Sequence, residues 1–115
     1  GVNNMADFKI NPSEFKHSII IERYQKVKDE DNILREAWTK LCGVRAKILW
    51  TRGSEYTESY ATNSEVEATF YIRFNHKNIT SKDRLVYKNE VYDIIYVNNV
   101  QEANNFYEIK AKKVN

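Results

Sequence analysis

Apolar and polar residues alternate along residues 66–74, and this alternation is the clearest structural signal in the chain. The apolar residues occupy every second position: Val66, Ala68, Phe70, Ile72 and Phe74. Successive side chains of a strand point to opposite sides, so these residues share one face and the polar residues between them share the other. We therefore predict a strand with one face in a core and one in water.

Further segments have the alternation or the β-branched composition of strands: residues 17–24, 44–50, 84–87, 91–97 and 106–113. A tight turn joins the two strands within 84–97, and Asn89 is the residue best suited to a positive φ there. In the last segment, Tyr107, Ile109 and Ala111 are expected to point inward. About six short strands predict an all-β fold, a small antiparallel β-barrel, which leaves no exposed sheet edge.

Residues 33–43 have a different periodicity. One stripe of a helix would carry Ile33, Leu34, Ala37, Trp38 and Leu41. Asp31 or Asn32 would cap the start of this helix, and Gly43 would close its end. We predict at most one short helix, over residues 33–42. A helix of roughly 11 residues is marginal alone, so an extended segment anchored by Trp38 is the alternative.

The remaining segments are polar. Residues 7–15 predict an irregular arm with one helical turn at Ser13-Glu14, and residues 26–32 predict a charged turn. Residues 51–65 predict a long loop. Loops beyond about 12 residues are uncommon in compact domains and are often functional, although a hairpin tip without a role is the alternative.

Length and cysteine content set the class of protein. At 115 residues the chain is expected to be one domain over residues 6–115, with residues 1–5 a cloning remnant ahead of it. Cys42 is the single cysteine and has no partner within the chain, which favours a reducing cytoplasm and a packing role over a nucleophile. No apolar stretch approaches the roughly 20 residues of a membrane span, so we expect no membrane association.

Charge and motifs argue against catalysis and against sequence-specific DNA binding. Eighteen basic and sixteen acidic residues are interspersed and give a net charge of +2, which is typical of an ordinary solvated surface. The sequence has no phosphate-binding or dinucleotide-binding motif, and His17 and His76 lie in unrelated contexts. We therefore expect no enzyme, no cofactor and no metal site.

Several short motifs, in their order and spacing, resemble the phage head-tail joining family, which includes the head completion or stopper proteins of long-tailed phages and prophages. The resemblance spans about residues 11–113. It rests on Asn11-Pro12-Ser13-Glu14-Phe15-Lys16-His17-Ser18-Ile19-Ile20-Ile21, Val44-Arg45-Ala46-Lys47-Ile48 after a tryptophan, Gly53-Ser54-Glu55, Phe70-Tyr71-Ile72-Arg73-Phe74, Ile79-Thr80, Asp83-Arg84-Leu85-Val86-Tyr87 and Val91-Tyr92-Asp93-Ile94. Two departures are Asn89, where the family usually has glycine, and residues 33–41, where the family usually has an extended segment.

The resemblance implies a structural component of the virion neck, assembled in the bacterial cytoplasm. Such a protein forms a ring beneath the portal and adaptor, closes the channel after packaging and presents its far side to the tail or to tail-completion proteins. Packaged double-stranded DNA would meet it by steric contact only. The loop at residues 51–65 would point into the channel, and its candidate residues are Arg52, Glu55, Tyr56, Glu58, Tyr60 and Glu65.

The charge of this loop is compatible with that role. Residues 52–67 contain Arg52 and four glutamates, Glu55, Glu58, Glu65 and Glu67, which gives +1 − 4 = −3. A negative lining repels phosphates at close range and lets DNA pass without binding. Ordinary solvated loop charge is the alternative, since salt screens exposed charges beyond about 8 Å.

Candidate subunit-interface residues are Arg73, Arg84 and Tyr92. For both arginines a cross-strand pair with a glutamate is the slightly favoured reading, and an intersubunit ion pair is the alternative. A different function class, a barrel that binds single-stranded nucleic acid, would use Tyr71, Arg73, Tyr92 and Tyr96 for stacking and phosphate contacts. Another neck or tail-completion role is a third possibility.

Overall fold

The structure is a computed structural model that describes residues 11–52 and 66–114. These residues form six antiparallel strands that close into a barrel in the order β1-β2-β3-β6-β5-β4. The strands are β1 His17–Lys28, β2 Leu34–Arg52, β3 Glu67–Arg73, β4 Arg84–Tyr87, β5 Glu90–Asn99 and β6 Phe106–Lys113. Short 3-10 turns occur at Pro12–Glu14 and Val100–Glu102. The predicted all-β barrel is confirmed.

Alternation along the strands fills the barrel. Ala68, Phe70 and Ile72 of β3 are fully buried, and Val66 just before the strand is 2% exposed. The residues of β6 that were expected to point inward are also buried: Tyr107, Ile109 and Ala111. The inward face of these strands therefore forms the core, as the period of two predicts.

The turn between β4 and β5 has the backbone that its sequence predicts. Lys88 and Asn89 have φ of 51° and 64°, so both central residues of this two-residue turn are left-handed. Turns of this kind match the right-handed twist of the strands that they join. Asn89 occupies the position that the sequence assigned to it.

Residues 33–43 are not helical, so the predicted short helix is wrong and the extended alternative holds. Leu34 to Gly43 belong to β2, and each residue of β1 from Ile20 to Lys28 has a partner there. The apolar stripe fitted a helical period, but cross-strand pairing with β1 decides the conformation. The same pairing lengthens β1 beyond the predicted end at Tyr24 and moves the turn to residues 29–33.

The predicted loop at residues 51–65 also starts later than expected, since Thr51 and Arg52 belong to β2. β2 pairs regularly with β3 up to Trp50, and a register shift between Trp50 and Arg52 precedes the end of the strand. Residues 53–65 lie outside the described residues, and so do residues 1–10.

Part of the β1–β2 hairpin extends past the barrel. β1 pairs with β4 only from Ile20 to Glu22, and β2 pairs with β3 only from Ala46 onward. Residues 23–28 of β1 and 34–39 of β2 therefore pair only with each other. We call these two segments the ribbon.

Candidate functional site

An exposed aromatic pair lies on the ribbon where it leaves the barrel. Tyr24 and Trp38 are directly opposite each other across β1 and β2, and their ring centroids are 5.3 Å apart. Their exposed fractions are 50% and 37%. Aromatic side chains of this size are usually buried, so two of them exposed together mark a candidate contact surface.

The guanidinium of Arg84 holds Trp38 in place. Its Cζ lies 4.3 Å from the centroid of a Trp38 ring. Its Nε donates to Glu22 Oε1 at 2.7 Å, and Glu22 is the cross-strand partner of Arg84. Arg84 therefore combines a cation–π contact with a charge-assisted hydrogen bond across the seam that closes the barrel.

Arg23 fastens the other side of the ribbon to the connection between β3 and β4. Its Nε and Nη2 donate to the two oxygens of Asp83 at 2.9 and 3.0 Å, and Nη2 also donates to the carbonyl of Asn78 at 2.9 Å. Asp83 is 3% exposed and also accepts the Thr80 backbone N–H. This bidentate hydrogen bond raises the pKa of Arg23 above its ordinary value.

Three lysines lie on the same side of the sheet as the aromatic pair. Lys82 lines, with Tyr24 and Trp38, a shallow open groove of about 630 Å³. Lys26 follows Tyr24 by two residues and Lys40 follows Trp38 by two, so both lie on the same face of the β1–β2 hairpin as the rings, with the Lys40 ammonium reaching toward Gly43. We call Tyr24, Trp38 and these three lysines the aromatic face.

The aromatic face has an excess of positive charge. Within residues 11–52 and 66–114, none of its three lysines forms an ion pair. On the same outer face, Lys28 also has no ion pair among these residues, and the carboxylates in register there without one are those of Glu36, opposite Lys26, and Asp93, opposite Arg84. With Lys28 and Asp93 counted, the local balance of unpaired charges is +4 − 2 = +2.

A second group of polar side chains lies on the outside of β3, β5 and β6. Tyr71 Oη donates to Glu108 Oε2 at 2.9 Å. Burial, together with the hydrogen bond and the negative charge of Glu108, raises the pKa of Tyr71 to about 12. Burial and the same carboxylate also raise the pKa of Tyr96. These tyrosines are neutral hydrogen-bonding groups at physiological pH.

The predicted interface residues lie in three different environments. Arg84 is in the cross-strand pair with Glu22, as the favoured interpretation stated. Arg73 is exposed at the end of β3 and, with Phe15, Val44 and Arg45, borders an open groove of about 290 Å³. Tyr92 is 1% exposed and its ring packs against Phe70 at 5.5 Å, so it is a core residue and cannot contact another folded subunit.

Because Tyr92 is buried, the residues predicted to contact single-stranded nucleic acid do not share one face of the barrel. Tyr71 and Tyr96 point outward from neighbouring regions of the barrel wall, whereas Tyr92 points inward. The hydroxyl of Tyr71 is occupied by Glu108. These residues do not form one continuous stacking platform.

The channel-loop residues Glu55, Tyr56, Glu58, Tyr60 and Glu65 lie outside the described residues. Arg52 ends β2, where its backbone pairs with Glu67 of β3. The Glu67 carboxylate lies 3.8 Å from Lys110 Nζ, so part of the negative charge assigned to this end of the barrel is balanced by β6.

Cys42 packs partly buried against the core, and burial raises the pKa of its thiol. His17 Nδ1 lies 3.1 Å from Tyr87 Oη, while the ring of His76 packs edge-on against Phe74. In the part of the chain that the structure describes, no three His, Cys, Asp or Glu side chains come together in a way that could hold a metal ion. No helix in the same ranges is both long and apolar enough to cross a membrane.

Sequence reasoning missed the aromatic face and the Arg23–Asp83 contact. Tyr24 and Trp38 meet only because residues 34–40 are extended, and the helical interpretation placed Trp38 on a buried stripe. Asp83 and Arg84 were part of a recognised motif, but their partners Arg23 and Glu22 lie about 60 residues away in sequence. The available signal was the shared acidic-then-basic order of the two dipeptides, Glu22-Arg23 and Asp83-Arg84, which places opposite charges together when the strands pair antiparallel.

Comparison with known proteins gives a family match and several structural matches. The model of the phage head completion protein family matches residues 10–114. A chain from the virion of a native gene transfer agent particle is 18% identical and superimposes with a TM-score of 0.62, covering 86% of this chain and 94% of the other. Protein SF1141 from Shigella flexneri 2a is also 18% identical, with a TM-score of 0.60 and coverage of 90% and 96%. None of the curated protein sequences gives a significant match.

Proposed function

The chain belongs to the phage head completion protein family, and on that premise we propose that it closes the portal channel after DNA packaging and offers the surface to which the tail attaches. The coarser role follows from the family: the protein is a structural component of the virion that completes the phage head and associates with other phage structural proteins. The observation that carries the proposal is the family match over residues 10–114, which covers every described strand of the barrel.

The architecture supports a role as a connecting piece. Closure into a barrel limits the open strand edges of the body and so the risk of uncontrolled strand pairing, while the ribbon projects from it. The ribbon carries exposed Tyr24 and Trp38, which suit contact with a neighbouring protein. In this proposal the protein forms a ring below the portal and adaptor.

Particles that lack the protein test the proposal. In the phage or prophage that encodes this chain, deletion of its gene should give heads that package DNA and then lose it, because the channel stays open. Electron microscopy distinguishes such emptied heads from filled heads without tails. Filled, stable heads without tails would contradict channel closure and would leave a later joining step.

The proposal extends to residues 51–65 as the part that reaches the channel. Removal of residues 56–63 should leave the barrel folded, since every described strand lies outside the deletion, but should let packaged DNA leak. Replacement of Glu55, Glu58 and Glu65 with Gln should have a milder effect, because closure is proposed to be steric. Full heads that retain DNA and accept tails with the shortened variant would remove these residues from the channel role.

A further inference from the structure

We propose that the aromatic face binds an acidic segment of another virion protein, with one apolar side chain of that segment seated against Tyr24 and Trp38. The inference rests on the proposed function only in placing the partner in the virion. It assigns a docking surface and the chemistry of its occupant, neither of which follows from the family match.

The apolar part of the argument starts from the two rings. Tyr24 and Trp38 bound the groove of about 630 Å³, and each leaves more than a third of its surface in water. Covering that surface with an aliphatic or aromatic side chain removes apolar area from water, and rings of this type are the commonest anchors of protein interfaces.

The charges decide which kind of partner fits. The three lysines on the face of the rings have no ion pair among the described residues. Glu36 and Asp93 are the opposing charges in register there without one, and Lys28 adds a fourth positive charge to the same face. By contrast, the neighbouring Arg23 and Arg84 are each matched to a carboxylate. A partner with two or more carboxylates around an apolar residue complements this pattern, since opposite charges steer and orient an interface.

Contacts within the protein already hold the side chains of the aromatic face in position. Arg84 fixes Trp38 from one side, and the Arg23–Asp83 pair fastens the ribbon to the barrel from the other. The Gln25 amide also donates to Thr39 Oγ1 across the ribbon. Side chains that are already ordered lose less entropy on binding, so the rings suit an anchor pocket.

Two other occupants fit less well. A second copy bound through the same face would bring lysines against lysines, because a two-fold interface places one patch on itself. Double-stranded DNA would satisfy the lysines but would leave the two rings without an apolar partner. We therefore commit to an acidic protein segment.

Binding to heads is the first test. Heads of the phage or prophage that encodes the chain, prepared without this protein, are mixed with purified protein, and the bound fraction is measured by co-sedimentation. Trp38→Ala and Lys82→Glu should each weaken binding about tenfold or more, and the affinity of the wild type should fall as salt rises. Ile95→Ala on β5, 46% exposed, and Lys16→Glu before β1 are matched controls, expected to stay within about twofold.

A peptide provides a test that does not depend on the head. The probe is Asp-Glu-Phe-Glu-Asp, with Lys-Lys-Phe-Lys-Lys as its control, and the readout is tryptophan fluorescence. The acidic peptide should change the emission of the wild type but not of Trp38→Phe, in which Trp50 is the remaining tryptophan. Circular dichroism confirms that each variant is folded.

The outcomes separate the two proposals. If the wild type ignores heads but responds to the acidic peptide, the docking surface stands and the head-completion proposal fails. The docking surface is overturned if Trp38→Ala and Lys82→Glu bind heads like the wild type, or if the acidic peptide has no effect. It is also overturned if duplex DNA displaces the protein from heads, or if sedimentation shows that Trp38→Ala abolishes a self-association.

Discussion

Arg23 and Asp83 should contribute unequally to stability, although they form one ion pair. The Asp83 side chain is 1% exposed, whereas that of Arg23 is 32% exposed. Arg23→Met leaves a desolvated carboxylate whose only remaining donor among the described residues is the Thr80 N–H. Asp83→Asn leaves an arginine that still reaches water and the Asn78 carbonyl. The two substitutions therefore remove the same contact but leave different groups behind.

The expected magnitudes follow from this asymmetry. Removing one partner of a buried pair costs about 3–5 kcal/mol when the charge left behind cannot reach water, so Arg23→Met should approach that range. Asp83→Asn should cost about 1.5–3 kcal/mol, the contribution of a charge-assisted hydrogen bond. The double variant should be at least about 1 kcal/mol more stable than Arg23→Met alone, because it no longer carries an unpaired buried charge.

Equilibrium unfolding in urea, followed by circular dichroism, measures these differences. Lys47→Met is the control, since Lys47 and Glu14 form a longer pair of 3.4 Å between partly exposed side chains and should contribute less than about 1 kcal/mol. The reasoning is refuted if Asp83→Asn costs as much as Arg23→Met, or if the double variant is the least stable of the three.

Three further predictions concern the turn, the tyrosines and the free protein. Lys88→Asn with Asn89→Gly should raise the free energy of unfolding by about 1 kcal/mol, because that dipeptide suits two left-handed residues; a loss of stability in urea would contradict the turn geometry. The pKa of Tyr71 is about 12 in the folded protein, against an ordinary value of 10.0. Neutral Tyr71 therefore stabilises the folded state in full below pH 10, and this contribution to the free energy of unfolding is lost as the pH rises toward 12. Tyr71→Phe should reduce that alkaline loss in thermal unfolding, and an unchanged pH profile would argue against it. The isolated protein should sediment mainly as a monomer, because the sequence has scattered charges, a net charge of only +2 and no segment that predicts a large self-complementary apolar patch; a stable ring at micromolar concentration would contradict this.

The strands that the sequence predicted best are those whose two faces have different environments. The β6 prediction, residues 106–113, matches the observed strand from end to end, and the β3 prediction differs by a single residue at each end. In both, every second residue enters the core, so period-two alternation reports burial directly. The turn at Lys88 and Asn89 was also predicted from the sequence, since asparagine tolerates a positive φ.

The ribbon could not be predicted in this way because neither of its faces is in the core. Leu34 and Ile33 are more than half exposed, and Trp38 is partly exposed, so the apolar residues of this segment do not mark an inward face. Their spacing matched a helix by coincidence. The conformation is set instead by β1, a partner that local periodicity does not include.

Complementary charges at the closing seam explain how so short a contact can define the barrel. β1 and β4 meet through only three pairs, Ile20 with Val86, Ile21 with Leu85 and Glu22 with Arg84, and Arg23 and Asp83 come next in the same register. A slip of one residue would place either Glu22 opposite Asp83 or Arg23 opposite Arg84, so like charges would meet in both directions. The same slip would turn Ile21, which is fully buried, away from the core. Two acidic-then-basic dipeptides, which complement each other in antiparallel pairing, thus select one closure, and that closure fixes where the ribbon and its exposed rings lie on the barrel.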